Sequence, residues 1–100
     1  MLSAAMVTAI VLISSDVHRV PETAQALADL EHVSEVYSVA GEYDLVAVVR
    51  VAEHEQLADV VTGEIARIPT IEATETLIAF RAYSRHDLDA LFSIGFADGD

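Results

Sequence analysis

The residues best suited to chemistry sit in two short segments. Gly41-Glu42-Tyr43-Asp44 combines a backbone that a ligand can approach closely with a phenol and two carboxylates. A carboxylate beside exposed main-chain amides can pair with an α-ammonium group while the amides take an α-carboxylate. The same four residues also make an ordinary hairpin turn, where Gly and Asp are the expected types. Thr74 and Thr76 are two apart, so on a strand they share one face and offer two hydroxyls to a ligand. Thr also simply favours strands. Glu75 points the other way and ranks below them. Tyr37 and Tyr43 can close over a ligand side chain or pack in a half-wet interface, since a phenol tolerates water at one end.

Catalytic and metal chemistry find less support. His18, His32, His54 and His86 never pair at i, i+4 and fall in no metal-ligand spacing. Glu53-His54-Glu55 reads as a solvated charged loop or helix start, and no metal or cofactor is expected. Ser14, Ser15 and Ser38 lack a nucleophile context such as G-x-S-x-G. There is no Cys, which excludes disulfides and thiolate zinc sites.

Charge removes further classes. Asp and Glu number 17 against 5 basic residues, all Arg, for a net charge of −12. Arg19, Arg50, Arg67, Arg81 and Arg85 stand singly along the chain, so no basic patch is expected to meet a phosphate backbone. Anionic membrane surfaces are disfavoured for the same reason. The opening MLSAAMVTAIVLISS mimics a signal peptide but has no basic n-region, and its apolar run is too short for a bilayer. A cytoplasmic protein is expected, with Met6 an alternative start. The 100 residues suit one domain with a modest core. Yet 53% of them are hydrophobic and mean hydropathy is +0.41, more apolar surface than so small an interior hides.

These residues need elements to position them. Val7 to Ile13 is apolar on both alternations and reads as a buried strand, ended by Ser14-Ser15-Asp16. Pro21 and Glu22 suit a first helical turn, and Val20, Ala24, Leu27, Leu30 and Val33 form one helical stripe. Val36 to Val39 and Leu45 to Val51 form a hairpin around Gly41–Asp44. Leu57, Val60, Val61, Glu64, Ile65 and Ile68 give a second helical period, mildly interrupted by Gly63 and stopped by Pro69. Glu72 to Tyr83 is the last strand. Ser84 would cap a short helix from Arg85 to about Ile94, ended by Gly95 before a frayed tail. The domain thus spans 1–100, with a core of about 7–83 and a terminal helix and tail over 84–100.

Strand, helix, strand, strand, helix, strand is the ferredoxin-like βαββαβ plan: an α+β sandwich with both helices on one face of an antiparallel sheet. The strands conflict with a bare second face. Leu45, Ala47, Val49 and Val51 face one way, but Val46 and Val48 face the other beside Arg50, and Leu77 and Ala79 oppose Ile78 and Phe80. The simplest cover is the sheet of another copy, giving the dimeric αβ-barrel type. Each buried Val, Ile or Phe there contributes on the order of 1.5–3 kcal/mol.

The hairpin Val39-Ala40-Gly41-Glu42-Tyr43-Asp44-Leu45, the helix closed by Ile68-Pro69, and Thr74-Glu75-Thr76-Leu77-Ile78 together resemble the effector-binding (RAM) domain of the Lrp/AsnC family. The resemblance covers about Val7 to Tyr83. It implies dimers formed through the sheets, an octamer-like ring of dimers, and an amino-acid effector bound between dimers. Gly41 and Asp44 would line that pocket, joined by Tyr43, Thr74 and Thr76. Family members usually carry an N-terminal helix-turn-helix; this sequence resembles the stand-alone form. The expectation is therefore an amino-acid sensor that binds no DNA itself and modulates transcription, with a full-length Lrp/AsnC-type regulator as a potential partner. The alternatives are a small enzyme on a dimeric αβ-barrel, or an assembly module with no ligand.

Overall fold

The structure, a computed structural model, describes residues 6–81 and residue 83. The elements run β1 (Val7–Ser15), α1 (Val20–Ala28), β2 (Val33–Ser38), β3 (Leu45–Val51), α2 (His54–Ala58) and β4 (Ile71–Ala79). They form a four-stranded sheet in the order β2-β3-β1-β4, antiparallel throughout. This is the α+β ferredoxin-like arrangement read from the sequence. β1 lies between β3 and β4, so its backbone is paired on both edges, which suits the run VTAIVLI.

The core lies between the sheet and the helical layer. Ala9, Val11 and Ile13 of β1 meet Leu45, Ala47, Val49 and Val51 of β3, and the helical side supplies Leu27, Leu57, Val60 and Ile65. Ile13, Leu27, Leu45 and Ile65 are fully buried, each contributing on the order of 1.5–3 kcal/mol. The register sorts the remaining strand residues. Ile10 pairs with Val48 and Leu77, and Leu12 with Val46 and Glu75, all on the face away from the helices. No described element covers that face: Ile10, Leu12 and Val46 are half-buried, and Leu77 is 46% exposed.

Several boundaries differ from the sequence reading. The Val20–Val33 periodicity predicts one helix, but α1 ends at Ala28 and Val33 opens β2. Val33 is buried either way, so apolar spacing alone does not separate the two assignments. Backbone bonds Leu30 N–H to Leu27 O (3.1 Å) and Val33 N–H to Leu30 O (3.2 Å) make the turn. β1 continues through Ser15 because Ser14 and Ser15 still pair with Ala73 and Ile71. β4 stops at Ala79 rather than Tyr83 because the ladder ends where Ala79 pairs with Thr8, next to the first residue of β1.

The second helical stretch departs most. After α2 the chain widens into a π-helical turn at Asp59–Glu64 and tightens to a 3-10 turn at Ile65–Arg67. Val60, Val61, Thr62 and Gly63 are poor α-formers, and the Thr62 hydroxyl donates to the Ala58 carbonyl at 2.6 Å, competing with the helical ladder. Gln56 starts the stretch: its side-chain oxygen accepts from Ala52 N–H (3.0 Å) and Glu53 N–H (2.9 Å). The expected helix over 85–94 lies outside the described residues.

A buried hydroxyl junction ties three elements together. Thr23 of α1 is fully buried, and its hydroxyl lies 2.7 Å from that of Ser15 in β1 and in contact with that of Thr70 before β4. The Thr23 proton has the Arg19 carbonyl at 3.0 Å, which leaves its lone pairs for the two neighbouring hydroxyls. Asp16 N–H donates to Thr70 O at 2.8 Å beside the junction. Thr23→Val keeps the shape and strips these partners, so it is expected to lower unfolding free energy by about 1–3 kcal/mol. Urea unfolding with an unchanged denaturant slope checks this, and an unmoved midpoint would contradict it.

Candidate functional site

The Gly41–Asp44 segment is held at the end of the sheet where β1 finishes. Val39 N–H donates to Asp44 O (3.0 Å), closing the loop, and Asp44 N–H donates to Ile13 O (2.9 Å). The Asp44 carboxylate accepts from Ser15 N–H through Oδ2 at 2.9 Å. Asp44 is thus a structural clamp between loop and β1, and its other oxygen, Oδ1, has no protein partner among the described residues. Gly41 is exposed at φ +140°, a backbone conformation that disfavours any side chain.

Tyr43 reaches across to β4, where its hydroxyl donates to Glu75 Oε1 at 2.6 Å. The bond to Glu75 raises the Tyr43 pKa above its ordinary value, aided by desolvation and by the charges of Glu75 and Glu42. Tyr37 pairs with Val46 in the ladder, is 51% exposed, and is likewise raised, chiefly by a hydrogen bond to Glu35.

Thr74 and Thr76 do share one face, as their spacing predicts. Thr74 pairs with Ile13 and Thr76 with Val11, which places both on the helix side at the β4 edge. Glu75 pairs with Leu12 on the open side. Within one chain the five candidate residues therefore divide. Gly41, Tyr43, Asp44 and Thr74 gather at one end of the sheet, but the Tyr43 hydroxyl goes to the open face and the threonines to the other. Thr76 lines a different feature, an open groove of about 270 Å³ between the second helical stretch and β4, with His54, Leu57, Ala58, Val61, Thr62 and Ile78. Sequence reasoning ranks Glu75 low and passes over Ser15. The only hint of either contact is the period of the strand, because partners 32 and 29 residues apart are set by the register.

The model of the Lrp/AsnC ligand binding domain matches residues 8–88. The chain belongs to the Lrp/AsnC family. Among curated proteins, this Lrp/AsnC chain is 32% identical over 75 residues to the HTH-type transcriptional regulator FL11 of Pyrococcus abyssi. The match covers 75% of this chain and 49% of FL11, so the chain spans about half the length of that relative. Among solved structures, TTHA0845 from Thermus thermophilus is 53% identical with a TM-score of 0.74, covering 79% of this chain and 99% of that one. The hypothetical protein PHS023 from Pyrococcus horikoshii is 32% identical with a TM-score of 0.71, covering 80% and 96%. The Lrp/AsnC resemblance and the ferredoxin-like fold stand, and the named curated relative is a transcription regulator. Among the described residues no three His, Asp or Glu side chains are grouped to hold a metal, and no helix is long and apolar enough to cross a membrane.

The Tyr43–Glu75 contact makes a direct prediction. A raised pKa means that the protonated phenol is the favoured form while Glu75 accepts its proton, an advantage present below pH 10 and lost as pH rises through the folded value. In Glu75→Gln one of the three tyrosines should ionise at lower pH than in the wild type, read as phenolate absorbance in an alkaline titration. Superimposable curves would show that the bond does not form in solution.

Proposed function

We propose that this domain is an effector-binding module: it takes an amino acid at a site built between copies and modulates a transcription regulator without contacting DNA itself. The single observation that carries the reading is the family match over residues 8–88 to a ligand-binding domain. The local chemistry agrees with it. Gly41 leaves its backbone open, and Asp44 keeps one carboxylate oxygen uncommitted for an ammonium group. The split of the candidate set over two faces of one sheet favours a pocket completed by a neighbour, in which the Gly41–Asp44 loop of one copy meets Thr74 and Thr76 of another. Sheet-to-sheet dimers assembling into an octamer-like ring in the cytoplasm are part of the proposal, as are the stand-alone form and mixed assembly with a full-length Lrp/AsnC-type regulator. A net charge of −12 speaks against direct nucleic-acid contact. A regulator among the relatives favours this reading over a small αβ-barrel enzyme.

Thermal shift against the twenty amino acids tests it. A ligand at 100 times its dissociation constant stabilises by about 2.7 kcal/mol. Asp44→Asn retains an acceptor for Ser15 N–H but loses the charge, so it should fold and lose most of the response. An assembled sample that answers to no amino acid would leave an assembly module without a ligand. A full response in Asp44→Asn would remove Asp44 from the site.

A further inference from the structure

The helical layer seals β1 but stops short of β4. Ala9, Val11 and Ile13 are fully buried beneath it. Their partners on the edge strand face the same way yet stay more open: Ile78 is 43% exposed, Thr76 is half-buried and Thr74 is exposed. The gap is the groove of about 270 Å³, with Thr76 and Ile78 on its sheet side and Leu57, Ala58 and Val61 on its helical side, joined by His54 and Thr62. Val61 and Thr62 come from the π-helical turn at Asp59–Glu64, a geometry that recurs at functional sites.

The groove is chemically selective. Its lining is apolar at Leu57, Ala58, Val61 and Ile78, and among the described residues it holds no Asp, Glu or Arg, in a chain with 17 carboxylates. A cationic side chain entering it would shed water and meet no carboxylate. An anionic one would meet only the imidazole of His54, in the field of a chain of net charge −12. The Thr62 hydroxyl already donates to the Ala58 carbonyl at 2.6 Å, so it has no proton left for a polar ligand. An apolar side chain instead takes the surfaces of Leu57, Val61 and Ile78 out of water. The volume lies just under the range of about 300–1,000 Å³ that suits drug-sized ligands, which fits part of a small molecule.

Thr76 belongs both to this groove and to the proposed effector contacts. Thr74, on the same face, stands at the Asp44 end of the sheet: it pairs with Ile13, whose carbonyl accepts from Asp44 N–H. Thr74 and Thr76 are roughly 7 Å apart along the strand. A ligand whose ammonium and carboxylate groups are held around the Gly41–Asp44 loop of one copy and Thr74 of another therefore extends its side chain past Thr76 into the groove. We infer that the effector is an amino acid with an apolar side chain, of the leucine, isoleucine, valine and methionine class, and that Ala58, Val61 and Ile78 set that preference. This rests on the effector-site reading above and narrows its ligand.

Isothermal titration of the full chain with leucine, isoleucine, valine, methionine, alanine, glutamine, aspartate and lysine tests it. Wild type should bind the best of the first four at least about tenfold more tightly than alanine, because each buried methylene adds discrimination. Ala58→Leu fills the groove from an exposed helical position that accepts Leu readily, and Ile78→Asp puts a charge into it. With folding checked by circular dichroism, each should weaken the best apolar ligand at least about tenfold more than it weakens alanine. Tightest binding of glutamine, aspartate or lysine by wild type would overturn the inference and leave the effector site standing. So would groove variants that bind the best apolar ligand as wild type does, or that weaken it and alanine alike. An assembled sample that binds none of the eight would overturn the inference, and silence across all twenty amino acids would overturn the effector reading with it.

Discussion

A central strand that is apolar on both faces, in a fold that supplies helices for only one, is the constraint from which the rest follows. β1 is hydrogen-bonded to β3 and β4 along its length, so it can neither leave the sheet nor turn. Its odd-numbered residues Ala9, Val11 and Ile13 are sealed by the helical layer, and its even-numbered Ile10 and Leu12 stay half-open beside Val46 and Leu77. Burying such side chains contributes on the order of 1.5–3 kcal/mol each, so a second surface of matching shape has much to gain. The hydroxyl junction at Thr23 and the Asp44 clamp serve the same sheet from its end, where the loop before β3 and the entry to β4 must meet the last residues of β1.

The polar residues that looked most available for ligand chemistry turn out to be partly occupied. Asp44 spends one oxygen on Ser15, and Tyr43 spends its hydroxyl on Glu75. Fixed in this way they become rigid, which suits a binding site better than free side chains because less ordering entropy is lost on capture. It also limits what one chain can do alone, since the threonines and the phenol lie on opposite faces of the sheet. On the proposed reading, a ligand that touched both sets would be held between subunits, and its binding would be coupled to assembly.

Much of the fold was legible in the residues. The order of the elements follows from alternations such as Leu45–Val51 and from punctuation at Pro21 and Pro69. The two-sided greasiness of the sheet follows from Val46 and Val48 standing opposite Ala47 and Val49. What the sequence hid has physical reasons. Val33 fits a helical stripe and a strand start equally well, because both bury it. The end of β4 depends on where β1 begins, which is a pairing property and not a local one. The π-turn at Asp59–Glu64 depends on a Thr62 hydroxyl competing for a carbonyl. For the site, the family motif marks which residues to consider, but Glu75 gains its meaning only once the register sets it across from Tyr43.

Small-angle scattering of the wild-type chain at micromolar concentration tests the central claim most directly, because it weighs the particle without altering a residue. If the second face of the sheet is covered by another copy, the forward-scattering mass is at least twice the 10.8 kDa of one chain and the particle is folded. A compact, folded particle of 10.8 kDa would contradict it, since the open face would then be stable in water with nothing upon it.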